Sequence, residues 1–208
     1  MEFYDITRPI QPSLAVWPGD TPYRLDWTLR RENGHPVNVA NCTTTVHLGS
    51  HADAPLHFRD AGEPVGELDL APFLGPVLLL EVTGKWLVGQ ADLEPRIPAG
   101  TERLLLRTGT WPDASRFPER IATLEPEAAA WLGSRGLRLL GVDAPSVDLL
   151  ESETLPVHHA LDRAGVRILE GLALDGVPEG DYELLALPLR LLEADASPVR
   201  AVLRPRSA

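Results

Sequence analysis

Between His47 and His57 the sequence reads HLGSHADAPLH, placing three of the chain's six histidines and an aspartate in eleven residues. His47, His51, Asp53 and His57 all carry odd numbers, and in an extended chain side chains at even separations share one face. On a helix these positions scatter around the axis, and Gly49 and Pro55 disfavour a helix here. The window is therefore expected to be irregular extended backbone. His47 and His57 would stand roughly 33 Å apart on a straight strand, so the chain must bend, and Gly49 and Pro55 mark where. His51 and Asp53, only about 6.6 Å apart even when extended, can reach one ion with little distortion. Imidazole with carboxylate suits zinc, manganese or iron. No thiolate lies in the window, which excludes a closed, Cys-rich structural zinc site. Nitrogen and oxygen ligands with an open position imply a metal-held water, and so hydrolysis. Histidines kept for purely structural reasons are the competing explanation, and their density argues against it.

A second group lies far downstream. His158 and His159 sit in TLPVHHALDRAG, near the start of an expected helix over Thr154–Ala164, with Thr154 as N-cap, Pro156 in the first turn and Gly165 after the end. The positive end of a helix dipole disfavours imidazolium and suits a neutral, metal-binding imidazole. Adjacent helical residues point about 100° apart, so one of the two histidines is expected to face the site. Glu170 follows the apolar run VRIL, where a carboxylate is well placed as a ligand. His35 has no such company and reads as a loop residue. Trp17, in WPGD, offers either a flat face to a substrate ring or an ordinary buried tryptophan beside a turn. Cys42 is the only cysteine. Nothing nearby marks it as activated, and a buried structural thiol is expected.

These side chains need a scaffold, and short apolar runs supply it. Val77–Thr83, Arg103–Arg107, Leu137–Val142, Val166–Leu169, Tyr182–Leu187 and Val199–Leu203 read as strands. Several are almost continuously apolar, as in strands covered on both faces. Glu125–Arg135 reads as a second helix, opened by Pro126 and stopped by Gly136. With 208 residues, 44 % of them hydrophobic, the chain can bury one sizeable core. No linker or repeat divides it, so residues 1–208 are expected to form one domain. Twenty prolines and seventeen glycines predict short elements cut by turns. The expectation is a mixed α/β fold, strand-rich, with a few helices on one face. Net charge is −11 with no Lys/Arg cluster, which argues against nucleic acid and anionic lipid as partners. MEFYDITRPI lacks a basic start and an apolar stretch, and the lone cysteine fits a reducing compartment, so a cytoplasmic location is expected.

The window HLGSHADAPLHF is similar to the HxGTHxDxPxHF signature of the metal-dependent cyclase family of hydrolases, with Ser50 in place of threonine and its hydroxyl kept. Within that family the chain resembles the bacterial kynurenine formamidases. The resemblance runs through YDITRPI, WPGDTP, PVNV, LLRTGT, GVDAPSVD, HHALDRAGVRILEG, GDYELLALPLRL and DASPVRAVLR, and so covers nearly the whole sequence. It implies a layered β/β/α fold, usually in a homodimer, and two divalent metals, commonly zinc, with manganese possible. By motif position His47, His51 and Asp53 would bind one ion. Asp53, His158 and Glu170 would bind the other, with Asp53 and Glu170 shared. The HH-x10-E spacing puts His158 rather than His159 in the ligand slot. His57 would transfer protons and Trp17 would touch substrate. The implied reaction is hydrolysis of N-formyl-L-kynurenine, an aryl formamide, to formate and L-kynurenine in tryptophan degradation. A related amide hydrolase acting on another substrate, such as isatin, and a non-catalytic metal-binding protein are the alternatives.

Overall fold

The computed structural model describes residues 3–206. In chain order its strands are β1 (Tyr4–Asp5), β2 (Arg24–Leu29), β3 (Val39–Thr43), β4 (His51–Asp53), β5 (Leu74–Glu81), β6 (Leu87–Val88), β7 (Arg103–Arg107), β8 (Thr123–Leu124), β9 (Leu139–Val142), β10 (Arg167–Glu170), β11 (Gly180–Leu185), β12 (Ala196–Pro198) and β13 (Val202–Pro205). The helices are α1 (Gln90–Leu93), α2 (Pro126–Ser134) and α3 (Pro156–Arg163). Nine strands share one sheet, in the order β1-β13-β11-β5-β7-β9-β10-β4-β12. Its centre, β5 through β10, is parallel. Its flanks are antiparallel.

The pleat sorts the apolar runs between two cores. Leu78, Leu80, Leu104, Leu106 and Ile168 face a cluster that α2 and α3 close with Ala129, Leu132, Val157 and Leu161. Their neighbours Val77, Leu79, Leu105 and Leu169 face the opposite cluster, filled by strand, turn and loop side chains such as Ile6, Ala52 and Phe73. Continuously apolar strands are what two covered faces require.

The sheet has to curl. β12 and β13 stand seven strand spacings apart in the order, about 34 Å on a flat sheet. The chain from Pro198 to Val202 spans at most about 14 Å. Closing that gap wraps the two flanks around the second core, giving two β layers and one helical layer, as the expected layered fold demands.

Three expectations are corrected. Thr154 does not cap α3: the cap position is Leu155, in the left-handed region at φ 43° and without a side-chain acceptor. The capping acceptor is Asp148, whose carboxylate receives the Val157 and His158 backbone N–H groups at 2.9 and 3.0 Å. Cys42 is exposed, because β2 and β3 form a separate two-stranded hairpin with both faces open. Finally, the strand expected over Val199–Leu203 starts later, at Val202, and Val199 forms an isolated bridge with Pro188. Among the described residues no helix is long and apolar enough to cross a membrane.

Candidate metal centre

Strand register builds the first half of the site. In the β4–β10 pair, His51 lies opposite Glu170 and Asp53 opposite Ile168. Directly opposed residues share a face, so His51, Asp53 and Glu170 project towards α3 while Ala52 and Leu169 enter the other core. Helix α3 then brings His158 down onto them. Gly49, at φ 58°, turns the chain into β4, and Pro55 opens the 3₁₀ turn Pro55–His57 that folds His57 back. The bends therefore fall at the two residues whose chemistry favours them.

Asp53 lies at the centre. One carboxylate oxygen, Oδ1, is 3.2 Å from His47 Nδ1 and 3.3 Å from His51 Nε2. The other, Oδ2, is 3.4 Å from His158 Nε2, which is also 3.4 Å from Glu170 Oε1. Glu170 Oε2 in turn is 3.4 Å from His51 Nε2. His51, Asp53, His158 and Glu170 are all buried. Yet His51 Nε2, His158 Nε2 and both oxygens of Asp53 lack a hydrogen-bond partner. Leaving each such atom unsatisfied costs about 1–3 kcal/mol. Atoms held about 2.0–2.1 Å from a tetrahedral zinc stand roughly 3.3–3.4 Å apart, the spacing seen here. The donor set fits divalent cations in two overlapping groups, His47–His51–Asp53 and Asp53–His158–Glu170.

The ring orientations are fixed from behind. His51 Nδ1 must donate to the Gly49 carbonyl at 3.0 Å, because a carbonyl only accepts. His158 Nδ1 faces Asp148 Oδ2 at 2.7 Å. Both rings thereby aim Nε2 at the centre, the arrangement that orients metal-binding imidazoles. Glu170 Oε1 also accepts the Val147 backbone N–H at 2.8 Å. The charge balance follows. Burial alone would lower the pKa of His158, but Asp148, Asp53 and Glu170 outweigh it and hold the ring well above 6.5. His51 is likewise raised to about 10 against burial by Asp53 and Glu170, and His47 to about 9 by Asp195 and Asp53. Asp53 is held far below the usual carboxylate range, because the surrounding imidazoles overcome its burial. The neutral imidazole expected at the start of α3 is thus not what the bare protein favours. Three carboxylates outweigh a helix dipole worth about 0.3–1 kcal/mol. A bound cation would displace those protons.

A pocket of about 400 Å³ opens over the cluster. Trp17, 36 % exposed, lines it and meets Phe117 edge-on at 5.2 Å, so it is a wall of the cavity and not a core residue. Trp111 adds a second aromatic surface, held by the Arg8 guanidinium 4.1 Å from its ring. His57 reaches the same pocket, its ring 4.2 Å from that of His47. His159 is directed elsewhere, edge-on to Phe58, and His35 is exposed. Ser50, at the position of the signature threonine, accepts from the Arg8 N–H at 2.9 Å and donates to the Gly171 carbonyl at 2.7 Å. Two carboxylates escaped the sequence reading as site residues. Asp148 orients His158, and Asp195 Oδ2 stands 2.9 Å from His47 Nε2 and 3.4 Å from His57 Nδ1. Both lie in stretches that carry the resemblance, GVDAPSVD and DASPVRAVLR, and that placement was the only signal available.

The chain is also similar to known proteins. The family described as Putative cyclase matches residues 4–149. The chain is similar to the kynurenine formamidase of Bacillus mycoides (strain KBAB4), 45 % identical over 204 residues, 98 % of each chain. Among solved structures it resembles a predicted metal-dependent hydrolase from Bacillus stearothermophilus, with TM-score 0.83, 30 % identity and 97 % of each chain covered. It also resembles isatin hydrolase A from Ralstonia solanacearum, with TM-score 0.82, 25 % identity, and 97 % of this chain and 91 % of that one covered.

Proposed function

The chain belongs to the cyclase family, and on that premise we propose that it is a metal-dependent amide hydrolase converting N-formyl-L-kynurenine to formate and L-kynurenine. The observation that carries the reading is the doubly unpartnered carboxylate of Asp53, with His47 and His51 beside one oxygen and His158 beside the other. The substrate is supported by the 45 % identity to a kynurenine formamidase along almost the full chain.

In this reading His47, His51 and Asp53 hold one divalent ion and Asp53, His158 and Glu170 the other, with zinc the best fit to the donors and manganese the alternative. Bound there, the ions would polarise the formyl oxygen and make water acidic enough to attack at neutral pH. The remaining work falls to the protein. Trp17, with Phe117 and Trp111, holds the aryl ring of the substrate, an aromatic contact worth about 0.5–1.5 kcal/mol beyond area burial. His57 accepts a proton from the attacking water and returns it to the aniline nitrogen as the C–N bond breaks. Water supplies the oxygen retained in formate, and the amine leaves neutral. Soluble, cytoplasmic work on a small molecule, as a homodimer, is part of the same proposal.

Formate release from N-formylkynurenine, followed with and without chelator, tests it. Chelation should abolish turnover and zinc or manganese should restore it. Full activity in metal-free protein would end the metal mechanism. Turnover of isatin without turnover of N-formylkynurenine would reassign the substrate.

A further inference from the structure

We propose that Asp195 is a positioning residue that sets the tautomers of two imidazoles at once, His47 beside the metal centre and His57 beside the substrate. The proposal rests on the role given to His57 above.

Asp195 is placed by the strand that carries Asp53. Its carbonyl accepts the Ala54 N–H at 2.9 Å, and the next residue, Ala196, lies opposite Asp53 in the β12–β4 pair. Its side chain reaches the pocket between two rings, with Oδ2 2.9 Å from His47 Nε2 and 3.4 Å from His57 Nδ1. The ring centroids of His47 and His57 are 4.2 Å apart. An ionised carboxylate accepts only, so each ring bonded to it must present an N–H. With the ring neutral, as a bound cation requires, His47 presents Nε2–H to Asp195 and turns Nδ1 to the centre, where it lies 3.2 Å from Asp53 Oδ1. His57 presents Nδ1–H, which leaves Nε2 bare to take a proton from the pocket. One carboxylate thus imposes opposite tautomers on adjacent rings, and each is the one its ring needs. A third group that orients the base is a recurrent element of proton-transfer sites. The two cation groups around Asp53 do not include Asp195, which instead forms a third cluster with His47 and His57.

The zinc-loaded protein provides the test, with Asp195→Asn and Asp195→Glu beside the unaltered chain. Asp195→Asn should lower kcat for N-formylkynurenine roughly 10²–10⁴-fold, with KM and zinc content little changed. Two-bond ¹H–¹⁵N spectra should show Nε2–H on His47 and Nδ1–H on His57 in the unaltered protein; in Asp195→Asn His57 should become a mixture, while zinc on Nδ1 keeps His47 at Nε2–H. Asp195→Glu, which keeps an acceptor-only group, should recover part of kcat and part of the tautomer signature. An unchanged His57 tautomer in Asp195→Asn would overturn the proposal. Loss of zinc in step with activity would also overturn it, because His47, His57 and Asp195 lie close enough to hold an ion themselves. Should the unaltered protein release no formate, the substrate assignment fails, while the spectra still decide the role of Asp195.

Discussion

His57 separates catalysis from metal binding at the level of single residues. It is part of the histidine window, yet its ring faces Asp195 and the pocket and not Asp53. His57→Ala should therefore lower kcat about 10²–10⁴-fold, the usual range for a lost acid–base group, while metal analysis finds the metal content unchanged. Loss of an ion would make His57 a ligand. The density of His47, His51, Asp53 and His57 made the cluster legible in the sequence; even spacing puts His51 and Asp53 on one face of β4, and the bends at Gly49 and Pro55 bring in the other two. Asp148 and Asp195 were not legible in the same way. Each acts by accepting an N–H from an imidazole, Asp148 from one ten residues ahead and Asp195 from one 148 residues back. Neither separation leaves a local pattern. Cys42 was misread because burial is the commoner fate of a lone thiol, and nothing in its neighbours announces a hairpin open on both faces.

Among the elements, the parallel centre of the sheet was readable because strands covered on both faces are apolar throughout. The two- and three-residue strands β1, β4, β6, β8 and β12 were not. Their pairing is decided by distant chain, and so few residues display no period. The joint between β4 and β10 shows how closely element packing controls the centre. Gly171, at φ 63°, ends β10 against the turn that opens β4, and a Cβ there would lie 2.1 Å from the Gly49 carbonyl oxygen. That carbonyl also accepts from His51 Nδ1. Gly171→Ala combines a left-handed backbone with a clash against main chain, together worth about 2–4 kcal/mol. The melting midpoint should fall by roughly 5–15 °C for a chain of this size. Because the displaced carbonyl orients His51, metal affinity should fall with it, as titration with zinc would reveal. An unchanged midpoint with unchanged zinc binding would mean that the joint can relax.

For the molecule as a whole, the centre makes stability depend on pH differently in the metal-free and loaded forms. In the bare protein Asp195 and Asp53 push His47 up to about 9, and Asp53 and Glu170 push His51 up to about 10. An unfolded chain releases those protons near 6.5. Raised values of this kind stabilise the fold fully below about pH 6.5, and the contribution drains away as pH climbs through 9 to 10. Cations need the same rings neutral, so protons compete with them and their stabilisation grows with pH. Other charges, including the surplus behind the net −11, repel alike in both forms and cancel in the comparison. The melting midpoint of chelated protein should therefore fall between pH 6.5 and 9.5 while that of zinc-loaded protein holds, and the gap between them should widen steadily. A gap that narrows as pH rises would mean that protons and metal do not share one site, and Asp53 would lose its place at the centre of a dinuclear cluster.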